Sequence, residues 1–96
     1  MRVLALVLIF LLTVLSAAAL QQASSDDEIY DLVRRRLAGD PDVRGGALDI
    51  TVKDGVVTLR GAVRSEKARK KADKLARKIK GVKNVINELT VKPAGL

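Results

Sequence analysis

Lys53-Asp54-Gly55-Val56-Val57-Thr58-Leu59-Arg60-Gly61 decides how this chain folds. Asp54-Gly55 offers two adjacent residues that accept a positive φ, which a two-residue type I′ turn requires. The flanking runs alternate apolar and polar, the period of a half-buried strand. Upstream, Leu48, Ile50 and Val52 face one way while Asp49, Thr51 and Lys53 face the other, giving a strand at about 47–53. Downstream, Val57 and Leu59 point inward and Thr58 and Arg60 outward, giving a strand at about 56–63. Gly61 near its end marks a bulge or a close backbone approach.

Helices flank this hairpin. Ser25 reads as an N-cap, with Glu28 completing a capping box and an acidic first turn at Asp26-Asp27-Glu28. Ile29, Leu32, Val33 and Leu37 recur at helical spacing, and Gly39-Asp40-Pro41 ends the run, so the pattern predicts a helix over 26–38. Arg34, Arg35 and Arg36 suit its C-terminal end. Ser65 caps a second helix, with Ala68, Ala72, Leu75, Ala76 and Ile79 as its apolar stripe, Lys78 and Lys80 in its last turn, and Gly81 as its stop. A last strand runs from about Asn84 to Lys92, with Val85, Leu89 and Val91 as core, although Asn87 breaks the alternation.

The order is helix, strand, strand, helix, strand. The hairpin is antiparallel, and the second strand, second helix and third strand form a right-handed parallel crossover. The expected fold is therefore α+β: an α-β-β-α-β two-layer sandwich, a mixed three-stranded sheet with both helices on one face and the other face polar and wet.

Composition bounds what such a domain does. Ninety-six residues allow one small domain. Met1-Arg2, the apolar run Val3–Leu12 and Ala17-Ala18-Ala19 match a secretory leader, expected at 1–19 and cleaved after Ala19. An uncleaved membrane anchor is the rival reading of the same run. A linker at 20–25, a domain at 26–92 and a tail at 93–96 complete the organisation, with the domain placed in the periplasm. Cysteine and histidine are both absent, which excludes Cys/His nucleophiles and the usual zinc ligand sets. With no convergent carboxylate pair either, the chain does not read as an enzyme, and no cofactor is expected.

The net charge is +7, and the stretch Ser65–Gly81 carries eight basic and two acidic residues. A localised excess points to an anionic partner. At about 100° per residue, Lys67, Lys70, Lys71, Lys74 and Lys78 fall on one flank of the second helix. That flank contains no acid and is the candidate surface for lipid phosphates. The competing reading is an ordinary solvated helix face. Tyr30, the only tyrosine, is expected at a packed helix edge. No large apolar side chain is expected to be left over for insertion into lipid.

From Asp26 to Lys92 the chain resembles the BON domain, a small envelope module of osmotically inducible periplasmic proteins. The resemblance rests on Asp40-Pro41-Asp42-Val43, Ile50-Thr51-Val52, Asp54 to Gly61, Val63-Arg64-Ser65, the alanine-rich helix, and Gly81 to Val91. It implies attachment to phospholipid surfaces and a part in resisting osmotic stress, with no catalytic residue. The matching positions, Asp54, Gly55, Gly61 and Gly81 among them, are structural. The leading expectation is an exported, non-catalytic module that binds anionic phospholipid or another anionic envelope component. The alternative is a protein-interaction module using the polar sheet face or an edge strand, toward an envelope protein or a second copy. Nucleic acid is not expected as a partner, since the strands carry no stacking aromatics.

Overall fold

The computed structural model describes residues 25–44 and 47–93. The expected leader at 1–19, the linker up to residue 24 and the tail beyond Pro93 lie outside the described residues. Among the described residues, no helix is long and apolar enough to cross a membrane.

Helix α1 (residues 25–38) leads through a turn at 41–44 to strand β1 (Ala47–Lys53), β2 (Val56–Val63), helix α2 (Glu66–Arg77) and β3 (Asn84–Val91). The sheet order is β1-β2-β3, with β1 antiparallel and β3 parallel to the central β2. The α-β-β-α-β mixed sheet is thus the fold that the sequence pattern predicts. Asp54 (φ 52°) and Gly55 (φ 79°) both occupy the left-handed region, as a type I′ turn demands.

The core gathers on one face of the sheet. Ile29, Val33 and Leu37 of α1 and Ala68, Ala72, Leu75 and Ala76 of α2 pack with Val57, Leu59, Val63, Val85 and Leu89. Val43, in the turn after α1, is also fully buried. It lies outside any regular element, so periodicity gives it no mark. Leu48, Ile50 and Val52 pack at the margin of this core and are half-buried.

Several sequence expectations need correction. Leu32 is 45% exposed. Ile29, Val33 and Leu37 already fill the contact strip, and Leu32 sits at its rim. Val91 is 38% exposed, because it lies at the end of an edge strand beyond the reach of α2. Helix α2 ends at Arg77 with Lys78 as its C-cap, so Lys78 and Lys80 lie past the last turn. The chain then tightens, with Lys78 and Ile79 N–H bonding three residues back to Leu75 and Ala76. Ser25 is already helical, one residue before the expected start. Tyr30 is 40% exposed rather than packed at an edge, and Ile86 is 43% exposed. Large apolar side chains therefore do reach the surface. They are scattered over α1, the open sheet face and the end of β3, and form no wedge.

Gly61 resolves as a close approach, not a bulge. The β1–β2 register runs unbroken through Leu48↔Gly61, and a Cβ at Gly61 (φ 111°) would fall 1.8 Å from the Ala47 carbonyl oxygen. Asn87 also finds its reason. It faces α2, where its Nδ2 donates to the Arg69 carbonyl at 2.9 Å and its Oδ1 accepts from the Leu89 N–H at 3.1 Å.

The hairpin turn is held from outside. The Asp26 carboxylate accepts the N–H groups of Asp54 (2.8 Å) and Gly55 (2.9 Å), while the Gly55 carbonyl accepts from Lys83 N–H at 2.8 Å. Asp26→Ala should lower unfolding free energy by about 1–2 kcal/mol, through loss of two hydrogen bonds to a charged carboxylate, the one to Gly55 part-buried. Gly61→Ala should lower it by about 3 kcal/mol or more, because strain and a backbone collision add. Urea unfolding followed by circular dichroism checks both; an unchanged midpoint in Gly61→Ala would contradict the close approach.

Candidate functional site

Helix α2 is locked on one side and open on the other. Ser65 (φ −153°, ψ 161°) caps it by accepting the Ala68 N–H at 3.0 Å. Its inner face is mostly alanine, which lets the backbone come close to β2 and β3. Besides the Asn87 bond, Arg77 reaches across to the Val85 carbonyl (3.1 Å) and the Asn84 side chain (3.3 Å). Arg77 also pairs with Asp73 at 2.7 Å, and Arg69 pairs with Glu66 at 2.6 Å. These two arginines and two acids neutralise one side of the helix.

The lysine side is not uniform. Lys71 donates to Asp42 at 2.8 Å and lies 3.0 Å from Asp40, with only 35% of its side chain exposed. Lys67 lies 3.9 Å from Asp42 and is far more open. Asp40 and Asp42 come from the turn after α1, twenty-nine residues before Lys71 in the case of Asp42. A helical projection of α2 alone cannot show them. Only the Gly39-Asp40-Pro41-Asp42 stop signal marks that turn in the sequence, and it reads as a breaker. Lys70, Lys74 and Lys78 have no acid within 4.0 Å among the described residues. With Lys71 and Leu75 they line a shallow groove along the helix.

The clamp at Lys71 organises the α1–β1 turn. Asp40 Oδ1 accepts the N–H groups of Asp42 (2.9 Å) and Val43 (3.2 Å), which carries Val43 into the core. Desolvation pushes the Asp40 carboxyl up, but the Lys71 hydrogen bond and those two N–H groups outweigh it and hold it below the usual range. The Lys71 hydrogen bond, with the charge of Lys67 beside it, likewise holds Asp42 low. Hydrogen bonds to Asp42 and Asp40 raise Lys71 in turn. This lysine is committed to the fold.

On the opposite face of the sheet, Asp49, Arg60 and Glu88 form a row across the three strands, with Arg60 and Glu88 2.6 Å apart. Thr51, Thr58 and Ile86 form the next row. No group of three potential metal ligands occurs among the described residues.

Lowered carboxyl pKa values contribute stability above the ordinary value of 3.8, which is lost as pH falls through the folded-state values. Raised lysine pKa contributes below 10.5 and is lost at higher pH. Urea midpoints of the natural chain should therefore hold near neutrality and drop below about pH 4. Lys71→Met should lower the midpoint at pH 7 and flatten that acid limb. An acid limb as steep as the natural chain's would contradict the clamp.

Comparison with known families identifies the scaffold. A family model described as BON domain matches residues 25–93, and the chain belongs to that family. No curated protein matches it. BON domains form a non-catalytic family of binding modules, associated with phospholipid and envelope components and typically found in the periplasm or envelope.

Proposed function

We propose that this BON domain is an exported envelope accessory module that adsorbs to anionic phospholipid surfaces through the lysine flank of α2. It acts in the periplasm and serves envelope integrity under osmotic stress without catalysing a reaction. One observation carries this reading. Lys70, Lys74 and Lys78 point outward with no acid in ion-pair range among the described residues, on a helix whose other faces are locked or neutralised. Lys67 adds to that surface as a partly balanced charge, and Lys71 contributes field while holding the turn beneath it.

The energetics fit reversible adsorption. A lysine near an anionic surface contributes about 1 kcal/mol. Three such lysines give roughly a hundredfold enrichment at low salt, and screening within about 8 Å at physiological ionic strength reduces it. The scattered Tyr30, Leu32, Ile86 and Val91 supply no apolar face that would hold the domain in lipid at high salt.

A second reading is an assembly module that docks an envelope protein on the open sheet face. Its supporting observation is the uncovered row of Thr51, Thr58 and Ile86.

Vesicle sedimentation separates the two. Residues 20–96 should pellet with phosphatidylglycerol vesicles, not with phosphatidylcholine vesicles, and should be released as salt rises. Lys70→Glu with Lys74→Glu and Lys78→Glu should lower the bound fraction at least about tenfold, while Arg64→Glu changes it little. Equal pelleting with both lipids, or no effect of the triple variant, would overturn the lysine-flank reading.

A further inference from the structure

The sheet has two edges, and they are treated differently. On β3, two backbone groups not used by β2 are taken by side chains: Arg77 donates to the Val85 carbonyl and Asn87 accepts the Leu89 N–H. Beside them, α2 packs along the strand. On β1, no such cover exists among the described residues. The two-residue turn makes Lys53↔Val56 a hydrogen-bonded pair, so Thr51↔Thr58 and Asp49↔Arg60 are also hydrogen-bonded pairs. The N–H and C=O groups of Leu48, Ile50 and Val52 therefore point outward along the edge. An edge of this kind is a template for another strand.

The side chains of β1 say which strand. Asp49 and Lys53 lie on the open face, two residues either side of Thr51. Among the described residues, neither has an oppositely charged partner within 4.0 Å. An antiparallel copy of β1 centred on Thr51 places Asp49 opposite Lys53 of that copy, and Lys53 opposite its Asp49. The same register sets Ile50 against Val52 in the outward-pointing, hydrogen-bonding positions, so the backbone pattern and the charge pattern select one alignment. It also extends the charged row of the open face with alternating sign, through Glu88, Arg60, Asp49 and then Lys53 of the second copy. On the helix side, half-buried Ile50 and Val52 gain cover from each other's counterparts.

We propose that β1 pairs with β1 of a second copy of this chain, antiparallel and centred on Thr51, joining two three-stranded sheets into one. This contact is separate from the lysine flank, which lies on a helix packed over β3 and β2. The paired segment is short, so the association is weak in dilute solution and the test must capture it.

The chain contains no cysteine, which makes single-cysteine cross-linking unambiguous. Thr51 and its counterpart form a non-hydrogen-bonded pair with Cα atoms about 4.5 Å apart, within disulfide range. Asp49 lies about 13 Å from its own counterpart. The full chain in mild detergent is oxidised as Thr51→Cys, Asp49→Cys or Lys53→Cys, with circular dichroism confirming that each variant folds. Thr51→Cys is expected to give disulfide-linked dimer at least about fivefold above either other variant alone. A mixture of Asp49→Cys with Lys53→Cys is expected to give the mixed dimer. Adding Lys53→Glu to Thr51→Cys is expected to suppress its dimer. Equal cross-linking at all three positions, or none at Thr51→Cys in a folded protein, would overturn the proposal.

Discussion

The carboxylate of Asp26 closes on the N–H groups of Asp54 and Gly55 and ties α1 to the hairpin turn on which the sheet is built. A type I′ turn leaves these two donors without strand partners. Asp26 meets both from the first turn of α1, while the Gly55 carbonyl receives Lys83 from the approach to β3. Three segments distant in sequence thus converge on two residues. The hairpin ladder sets β1 on one side of β2 and the parallel ladder sets β3 on the other, and α1 crosses the face that buries Ile29, Val33 and Leu37. Helix α2, as the crossover between β2 and β3, has one place left on that same face.

That placement divides the charges of α2 into two kinds. Lys71, Arg77 and Arg69 are drawn into the fold by Asp40 and Asp42, by Asp73 and β3, and by Glu66. Lys70, Lys74 and Lys78 remain directed at solvent. Five lysines facing two aspartates leave a net three positive charges on the flank, a smaller field than the sequence of the helix alone implies. A field of that size suits a domain that visits an anionic surface and leaves it.

Much of the scaffold was legible in the sequence because it is written in local signals. The Asp54-Gly55 turn, the alternation of β1 and β2 and the alanine stripe of α2 each depend on residues within a few positions of one another. What stayed hidden crosses the chain. Asp26 bonds backbone twenty-eight residues away, Lys71 finds its acids in a turn on another element, and Asn87 breaks its strand pattern to reach the carbonyl of Arg69. Leu32 misled for a related reason. Helical spacing places it beside the stripe, but the width of the stripe that is buried is set by what α1 packs against. The candidate site was half visible: its basic residues, not their partners.

Amide chemical shifts recorded on the domain with anionic and with zwitterionic micelles test the central claim most directly. The account predicts changes at Lys70, Lys74 and Lys78 with the anionic micelles alone, fading with added salt. Changes centred instead on Thr51, Thr58 and Ile86, or identical changes with both micelles, would contradict it.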